Sequence, residues 1–415
     1  MRVDADDFAR PCSCGREHHI DVREIVIESG AIGKLEKEMS DGDLKECISP
    51  LLICDTNSYK ATEELMEDIY DRCQVLILDA EGLEADERAV EIVENYMEED
   101  IDLVLAVGAG TIHDLSRFVA HQYRIPFVSV PTAASSDGFT STVADMTWNG
   151  VKKVFQASAP LFVFADTDIF AKAPARLTAA GVSDILGKYI ALADWKIASI
   201  LMDEYYCTAV ADLETKAIRT VKDNLKEIAA GEKDACEKLM YALILSGLAM
   251  QMTGNSRPAS GAEHHMVHLW DMEVVNGHLN ALHGEKVSAA TMLVLLEYKK
   301  LADAIRRGTC RVHAFADGDR ELLQETFGRK GILGALEKEN TPELLDDVSI
   351  ETLSGALPEI LEIIDFLQEM MSIVGCISRV RDIGLPGKAI EESLRLAPYT
   401  RRRLSLLRLR KMLTY

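Results

Sequence analysis

Short, nearly unbroken apolar runs alternate with mixed polar stretches along the N-terminal part of the chain. Pro50-Leu51-Leu52-Ile53-Cys54 stops at the polar turn Asp55-Thr56-Asn57, and the spacing from Lys60 to Cys73 predicts an amphipathic helix. Gln74-Val75-Leu76-Ile77-Leu78 reads as the next strand, with a helix over Glu87–Glu99 behind it. Ile101-Asp102-Leu103-Val104-Leu105-Ala106-Val107 runs into Gly108-Ala109-Gly110-Thr111, after which a helix begins near Ile112. Pro126-Phe127-Val128-Ser129-Val130 and Leu161-Phe162-Val163-Phe164-Ala165-Asp166 are further strands. Strands apolar on both faces and separated by helices predict a parallel sheet covered on both sides. Trp148-Asn149-Gly150-Val151 carries a hairpin turn, so an antiparallel excursion is expected there.

After Ala173-Pro174-Ala175 the pattern becomes helical. Asp184–Met202, Ala209–Ala229, Ala235–Met252, Lys286–Leu301 and Ile360–Ile377 read as helices, and no strand is expected beyond Thr178. The chain is therefore divided at residues 1–173, an α/β Rossmann-like domain with a parallel sheet, and 174–415, an all-α helical bundle domain. A site is expected in the cleft between them. The tail Arg401-Arg402-Arg403…Arg408-Leu409-Arg410-Lys411 is expected to be a solvated helix end.

Composition narrows the functional classes. The 415 residues carry a formal charge of −23, with 48% hydrophobic and 27% charged residues, as in ordinary globular proteins. Such acidity opposes a broad basic face for nucleic acid or anionic membrane. The apolar run around Tyr241–Met250 is about half the ~18 residues needed to span a bilayer. MRVDADDFARPCSCG has acids where a signal peptide needs a basic flank, so a cytoplasmic location is expected. Nine scattered cysteines fit reduced thiols. Cys12-Ser13-Cys14-Gly15-Arg16-Glu17-His18-His19 holds soft metal donors, but too close together for a two-knuckle zinc site, and a polar N-terminal loop is expected.

Three segments carry candidate chemistry. Gly108-Ala109-Gly110-Thr111-Ile112-His113-Asp114 joins a strand to a helix, and glycines there permit the close backbone approach a phosphate needs. The third glycine of the usual dinucleotide fingerprint is absent, since position 113 is His. The hydroxyl-rich loop Pro131-Thr132-Ala133-Ala134-Ser135-Ser136-Asp137-Gly138-Phe139-Thr140-Ser141 follows a buried strand, where open α/β sheets bind ligands. The third segment set is Asp184 and Lys188, one turn apart, with His264 and His268 at i and i+4 and His283 farther on. On a helix, His264 and His268 share one face roughly 6 Å apart. One carboxylate and two imidazoles make a three-ligand divalent metal site with positions open for an alcohol or carbonyl oxygen. His265 is an alternative to His264, although the i+4 partner at 268 favours His264.

Together these strings resemble the metal-dependent polyol dehydrogenases related to glycerol dehydrogenase, iron-containing alcohol dehydrogenase and dehydroquinate synthase. Thr132-Ala133-Ala134-Ser135-Ser136-Asp137-Gly138 and Ser260-Gly261-Ala262-Glu263-His264 are similar to the sn-glycerol-1-phosphate dehydrogenases in particular. The resemblance extends from about Cys12 to Tyr399. Two departures are Gly108-Ala109-Gly110 in place of a triple-glycine turn, and His265 beside His264.

The resemblance implies that Asp184, His264 and His283 bind one divalent metal (nickel or zinc, with iron also suitable). It places NAD, or NADP, over Gly110, Thr111, Ile112, His113 and Asp114 and over Thr132, Ala133, Ala134 and Ser135, with Ser141 in reach. Asp55 would accept hydrogen bonds from the adenosine ribose, which favours NAD. Asp137 would contact substrate, and His268 would stand near it and relay a proton. Lys188 and Arg257 are the candidate cations for a substrate phosphate. The implied reaction interconverts dihydroxyacetone phosphate and sn-glycerol 1-phosphate in a cytoplasmic homodimer, without nucleic acid or membrane insertion. An unphosphorylated polyol dehydrogenase is the alternative; dehydroquinate synthases usually carry Glu where Asp184 stands, and intact ligand candidates at 184, 264 and 283 argue against a nucleotide- or metal-binding regulator that has lost turnover.

Overall fold

The computed structural model describes residues 2–4, 12–313, 319–337 and 358–415. Its first half is built on a seven-stranded sheet: β1 (Arg2–Asp4), β2 (Glu24–Glu28), β3 (Pro50–Asp55), β4 (Gln74–Leu78), β5 (Leu103–Gly108), β6 (Phe127–Pro131) and β9 (Phe162–Asp166). The spatial order is β1-β2-β9-β6-β5-β3-β4. Every pairing is parallel except that of β1 with β2. Alternation along β5 explains the two covered faces. Val104 and Ala106 join one apolar cluster, whereas Leu103, Leu105 and Val107 join another on the opposite side. The expected hairpin forms as β7 (Val143–Trp148) and β8 (Val151–Gln156), with Asn149 and Gly150 both at positive φ.

The helices of this half are α1 (Ala31–Ser40), α2 (Thr56–Thr62), α3 (Glu67–Tyr70), α4 (Glu87–Glu94), α5 (Gly110–Tyr123) and α6 (Thr167–Phe170). The single helix expected over Lys60–Cys73 is instead α2 and α3. Thr62 Oγ1 donates back to the Ser58 carbonyl at 2.7 Å and sits 2.7 Å from the Tyr70 hydroxyl, closing the chain on itself. Strand β2 had no reading from the sequence, although Ile25, Val26 and Ile27 are fully apolar and buried.

The second half is helical: α7 (Ala175–Met202), α8 (Thr208–Lys222), α9 (Leu225–Ala229), α10 (Lys233–Thr253), α11 (Ala262–Asp271) and α12 (His283–Arg306), followed by Pro358–Ile373 and shorter helices. α7 is the central rod, with buried residues around most of its circumference, and α8, α10, α11 and α12 pack on it. The expectation of no strand beyond Thr178 is corrected by β10 (Arg311–Val312), which pairs antiparallel with β11 (Leu413–Thr414). The basic tail is not a solvated helix end either. Leu404–Leu409 is buried, and Arg408 donates to the Pro398 carbonyl from a 3% exposed position. Among the described residues, no helix is long and apolar enough to cross a membrane.

Candidate active site

Three helices converge at the cleft. Asp184 lies in the first half of α7, His264 in the first turn of α11, and His283 opens α12. One ligand atom from each lies within 4.8 Å of the others. His264 Nε2 is 3.8 Å from Asp184 Oδ1, and the rings of His264 and His283 are 5.3 Å apart. Two glycines permit this approach. A Cβ on Gly181 would sit 2.1 Å from the Ala134 carbonyl oxygen, and one on Gly284 would sit 2.1 Å from that of Ala180. Gly181 lets α7 press on the loop after β6, and Gly284 lets the start of α12 press on α7.

A second layer orients these donors. His264 Nδ1 donates to Glu263 Oε1 at 2.7 Å, which leaves the Nε2 lone pair facing Asp184. Burial, followed by the charge of Lys188, holds His264 far below the ordinary histidine range, so the ring is the neutral form a metal requires. Glu263 also accepts from Gly261 N–H at 2.9 Å, and burial raises its pKa to about 7. Asp184 accepts from Lys188 Nζ at 2.7 Å and from Asp137 N–H at 3.1 Å. Of the adjacent pair, His264 is the residue in the cluster; His265 faces the C-terminal segment, with Nδ1 3.4 Å from Ser405 Oγ. One carboxylate and two imidazoles, with a carboxylate behind one imidazole, fit a divalent first-row metal.

His268 stands one turn from His264, with ring centroids 6.4 Å apart. Its Nδ1 accepts from Arg401 Nε at 3.1 Å, and its Nε2 lies 3.3 Å from Asp145 Oδ2 on β7. Since Arg can only donate, Nδ1 is bare and the proton sits on Nε2, toward Asp145. Burial and the Arg401 charge push its pKa down to about 4. Burial alone would raise Asp145, but the charge of Lys152 and the hydrogen bond from His268 outweigh it and hold this carboxylate well below its usual range. Lys152 Nζ donates to the Asp145 carbonyl at 3.2 Å.

The sheet brings a second set of residues to the same cleft. The carboxyl ends of β3, β5 and β6 lie side by side, with Cys54 against Val107 and Gly108 against Pro131. From β3 the chain steps outward to β4, then returns to β5 on the other side of β3, which makes this edge a switch point where ligands settle. α5 begins at Gly110 with no side-chain cap on its N-terminus. Beside it the Ser136 hydroxyl is buried without a hydrogen-bond partner, 3.0 Å from where a Gly110 Cβ would lie. An orphaned donor at an uncapped helix start fits a pyrophosphate. Asp55 caps α2, accepting from Asn57 and Ser58 N–H through Oδ1. Thr132, Ala133, Ala134 and Ser135 form the loop that Gly181 meets, and Asp114 projects from α5, its pKa raised to about 7 by burial.

Several side chains expected at the site are engaged elsewhere. His113 is fully buried, its ring nitrogens 2.9 Å from the Ala109 carbonyl and 2.7 Å from Ser129 Oγ, so it ties α5 to β6. Ile112 packs under Gly108, and Ser141 Oγ donates to the Val143 carbonyl, so both offer a cofactor only backbone. Lys188, expected as a phosphate ligand, is completely buried between Asp184 (2.7 Å) and Asp137 (2.8 Å). Arg257, also expected at the phosphate, holds Glu204 at 2.8 Å and donates to the Leu404 carbonyl, while its Nη1 is buried without a hydrogen-bond partner. Asp137 accepts from Lys188 and, at 2.8 Å, from Ser246. Burial would raise Asp137, but the Lys188 charge outweighs it and keeps the carboxylate ionised.

Glu263, Asp145, Arg401, Lys152 and Ser136 have no sequence-based assignment. Glu263 and Ser136 sit inside the motif strings, where the signal was adjacency to a named ligand. The partnership of Arg401 with His268 spans 133 residues and leaves no local trace.

A family model described as iron-containing alcohol dehydrogenase matches residues 26–174. The glycerol-1-phosphate dehydrogenase (NAD(P)+) of Geobacillus stearothermophilus is 34% identical over 405 residues, covering 94% of this chain and 92% of that protein. Its counterpart from Geobacillus thermodenitrificans is 38% identical over 351 residues, covering 80% and 86%. Among solved structures, an iron-containing alcohol dehydrogenase from Corynebacterium glutamicum aligns with a TM-score of 0.62 at 16% identity, covering 94% of this chain and 92% of that one. A glycerol dehydrogenase from Schizosaccharomyces pombe aligns at 0.56 and 18%, covering 88% and 93%. The fold is thus shared with the iron-containing alcohol dehydrogenases, and the chain belongs to the glycerol-1-phosphate dehydrogenase family.

Proposed function

We propose that this chain is an NAD(P)-dependent, metal-dependent dehydrogenase interconverting dihydroxyacetone phosphate and sn-glycerol 1-phosphate, a precursor of glycerophospholipids. The observation that carries this reading is the hydrogen bond from Asp137 N–H to Asp184: the loop after β6 and the ligand cluster are walls of one cleft. A nicotinamide lying over that loop would face the cluster.

Asp184, His264 and His283 would hold the ion, with nickel, zinc and iron all suited to the donor set. A divalent metal there supplies Lewis-acid polarisation of the C2 oxygen. Lys188 bridges Asp184 and Asp137 and holds both carboxylates in place. His268, one turn from His264, is the candidate proton carrier beside the substrate, its ring oriented by Arg401 at Nδ1 and by Asp145 at Nε2. Ser136 Oγ and the first N–H groups of α5 receive the pyrophosphate, and Asp55 receives the adenosine ribose. Arg401 and Lys152, which flank Asp145 beside His268, are the candidate cations for the substrate phosphate. A cytoplasmic homodimer divided at 173/174 completes the proposal.

The test is NADH oxidation by metal-reloaded protein with dihydroxyacetone phosphate against dihydroxyacetone, with chiral analysis of the product. A strong preference for the phosphorylated ketone and an sn-1 product support the reading. Equal use of both ketones assigns the polyol activity instead, and no turnover with any metal rejects a dehydrogenase.

A further inference from the structure

Far along the chain from the cleft ligands, the N-terminal loop gathers a different kind of donor. Cys12, Cys14 and His18 reach the helical half, where Cys207 is the residue capping the start of α8 and is fully buried. Cys12 Sγ is 3.5 Å from Cys207 Sγ, and His18 Nε2 is 3.4 Å from Cys14 Sγ and 3.5 Å from Cys207 Sγ. All four donor atoms lie within 4.8 Å of one another. A tetrahedral zinc with Zn–S near 2.3 Å and Zn–N near 2.0–2.1 Å sets its sulfurs about 3.8 Å apart and sulfur and nitrogen about 3.6 Å apart. The observed spacings need only small adjustment.

The histidine is turned as a ligand would be. Its Nδ1 lies 2.6 Å from the Met252 carbonyl, an acceptor only, so Nδ1 carries the proton and the Nε2 lone pair faces the sulfurs. The Tyr205 hydroxyl is 3.2 Å from Cys14 Sγ, placed to donate to a thiolate, and the Arg16 guanidinium stacks 3.5 Å from the Tyr205 ring centroid. Three thiolates and a neutral imidazole around a dication leave one net negative charge, which that cation offsets.

We propose that Cys12, Cys14, His18 and Cys207 form a structural zinc site that fastens the N-terminal loop to α8. Four protein ligands leave no open position, which separates this site from the three-ligand cleft cluster in role as well as in chemistry. The sequence-based objection, that the N-terminal donors are too crowded for a two-knuckle site, falls because the fourth ligand comes from 195 residues away. A disulfide between Cys12 and Cys207 would leave the placement of Cys14 and the orientation of His18 without a reason.

The test uses the intact protein with cobalt(II) exchanged for its metal. A thiolate-to-cobalt charge-transfer band in the near ultraviolet is expected, since the cleft has no sulfur ligand to produce one. D184N, which removes a cleft ligand, keeps the band; C207S loses it together with one equivalent of tightly bound zinc. Should C207S fail to fold, the wild-type spectrum and its zinc content decide alone. The proposal is overturned if wild-type protein shows no such band, or if mass spectrometry of unreduced protein finds Cys12 and Cys207 joined to each other.

Discussion

Glu263 separates an oriented metal ligand from one that merely sits nearby. Its Oε1 accepts two bonds, from Gly261 N–H and from His264 Nδ1–H, whereas Oε2 is buried with no partner. Glu263→Gln therefore preserves the acceptor geometry and removes the charge, while burying its amide N–H groups where Oε2 has no partner. Glu263→Ala removes both, freeing the His264 ring to turn. Loss of such an outer partner costs 10–100-fold in metal affinity, or about 1.4–2.7 kcal/mol. A charge-assisted hydrogen bond is roughly twice as strong as a neutral one, so E263Q belongs near the lower end and E263A near the upper. E263A should also lose about 1–3 kcal/mol of folding stability, because Gly261 N–H is left buried and unbonded. Calorimetric titration of the apoprotein with nickel or zinc, alongside denaturant unfolding, gives both quantities. If both variants bind metal as tightly as the parent and differ only in unfolding midpoint, Glu263 is a packing residue and the orientation argument is wrong.

Lys188→Met leaves Asp137 and Asp184 buried without their shared cation, and should cost about 3–5 kcal/mol in apoprotein unfolding, partly recovered at saturating metal; an unchanged midpoint would refute the pairing. Arg401→Ala frees the His268 ring and should lower kcat on both ketones, and should in addition raise KM for dihydroxyacetone phosphate about 10–100-fold, the value of a charged hydrogen bond; a KM change no larger for the phosphorylated ketone than for dihydroxyacetone would remove Arg401 from phosphate binding. His113 has its pKa pushed down to about 3, chiefly by burial, so between pH 6.5 and 3 the unfolded chain binds a proton that the folded chain excludes. Its stability contribution is present above pH 6.5 and lost as pH falls, so between pH 7 and 5 the parent should lose about 2 kcal/mol more than His113→Gln, as measured by urea unfolding at each pH.

The sheet was legible because its signals are local. Each strand expected from an apolar run is present, since five or six consecutive β-branched and aliphatic residues have few places to go except between two layers of helix. Lys60–Cys73 misread as one helix shows the limit of that reasoning: its periodicity is genuine, but Thr62 and Tyr70 bond across the break. In the cleft, the i, i+4 spacing of His264 and His268 was legible, and so was the need for a carboxylate from another element. What escaped were contacts that a single distant partner sets, among them Arg257 with Glu204, Arg401 with His268 and Cys207 with Cys12.

Those failures share a cause in how this chain handles charge. At −23, its surface is mostly acidic, and a cluster of arginines looks, by composition, like a solvated counterweight. The structure takes cations inward instead: Lys188, Arg117, Arg257 and Arg408 are each no more than 3% exposed. Burying a cation is unfavourable unless acceptors meet it, and here they meet all but Nη1 of Arg257 among the groups named. Lys188 has two carboxylates, Arg257 has Glu204 with two carbonyls, and Arg117 donates to the Ser141 and Gly138 carbonyls of the loop after β6. Arg117 thus braces from beneath the loop that meets Asp184 from above. A residue type that sequence reading assigns to solvent or to substrate is, in this molecule, the means by which acid-rich walls are held at fixed distances; Arg401, its side chain 15% exposed, holds His268 beside Asp145 in the same way.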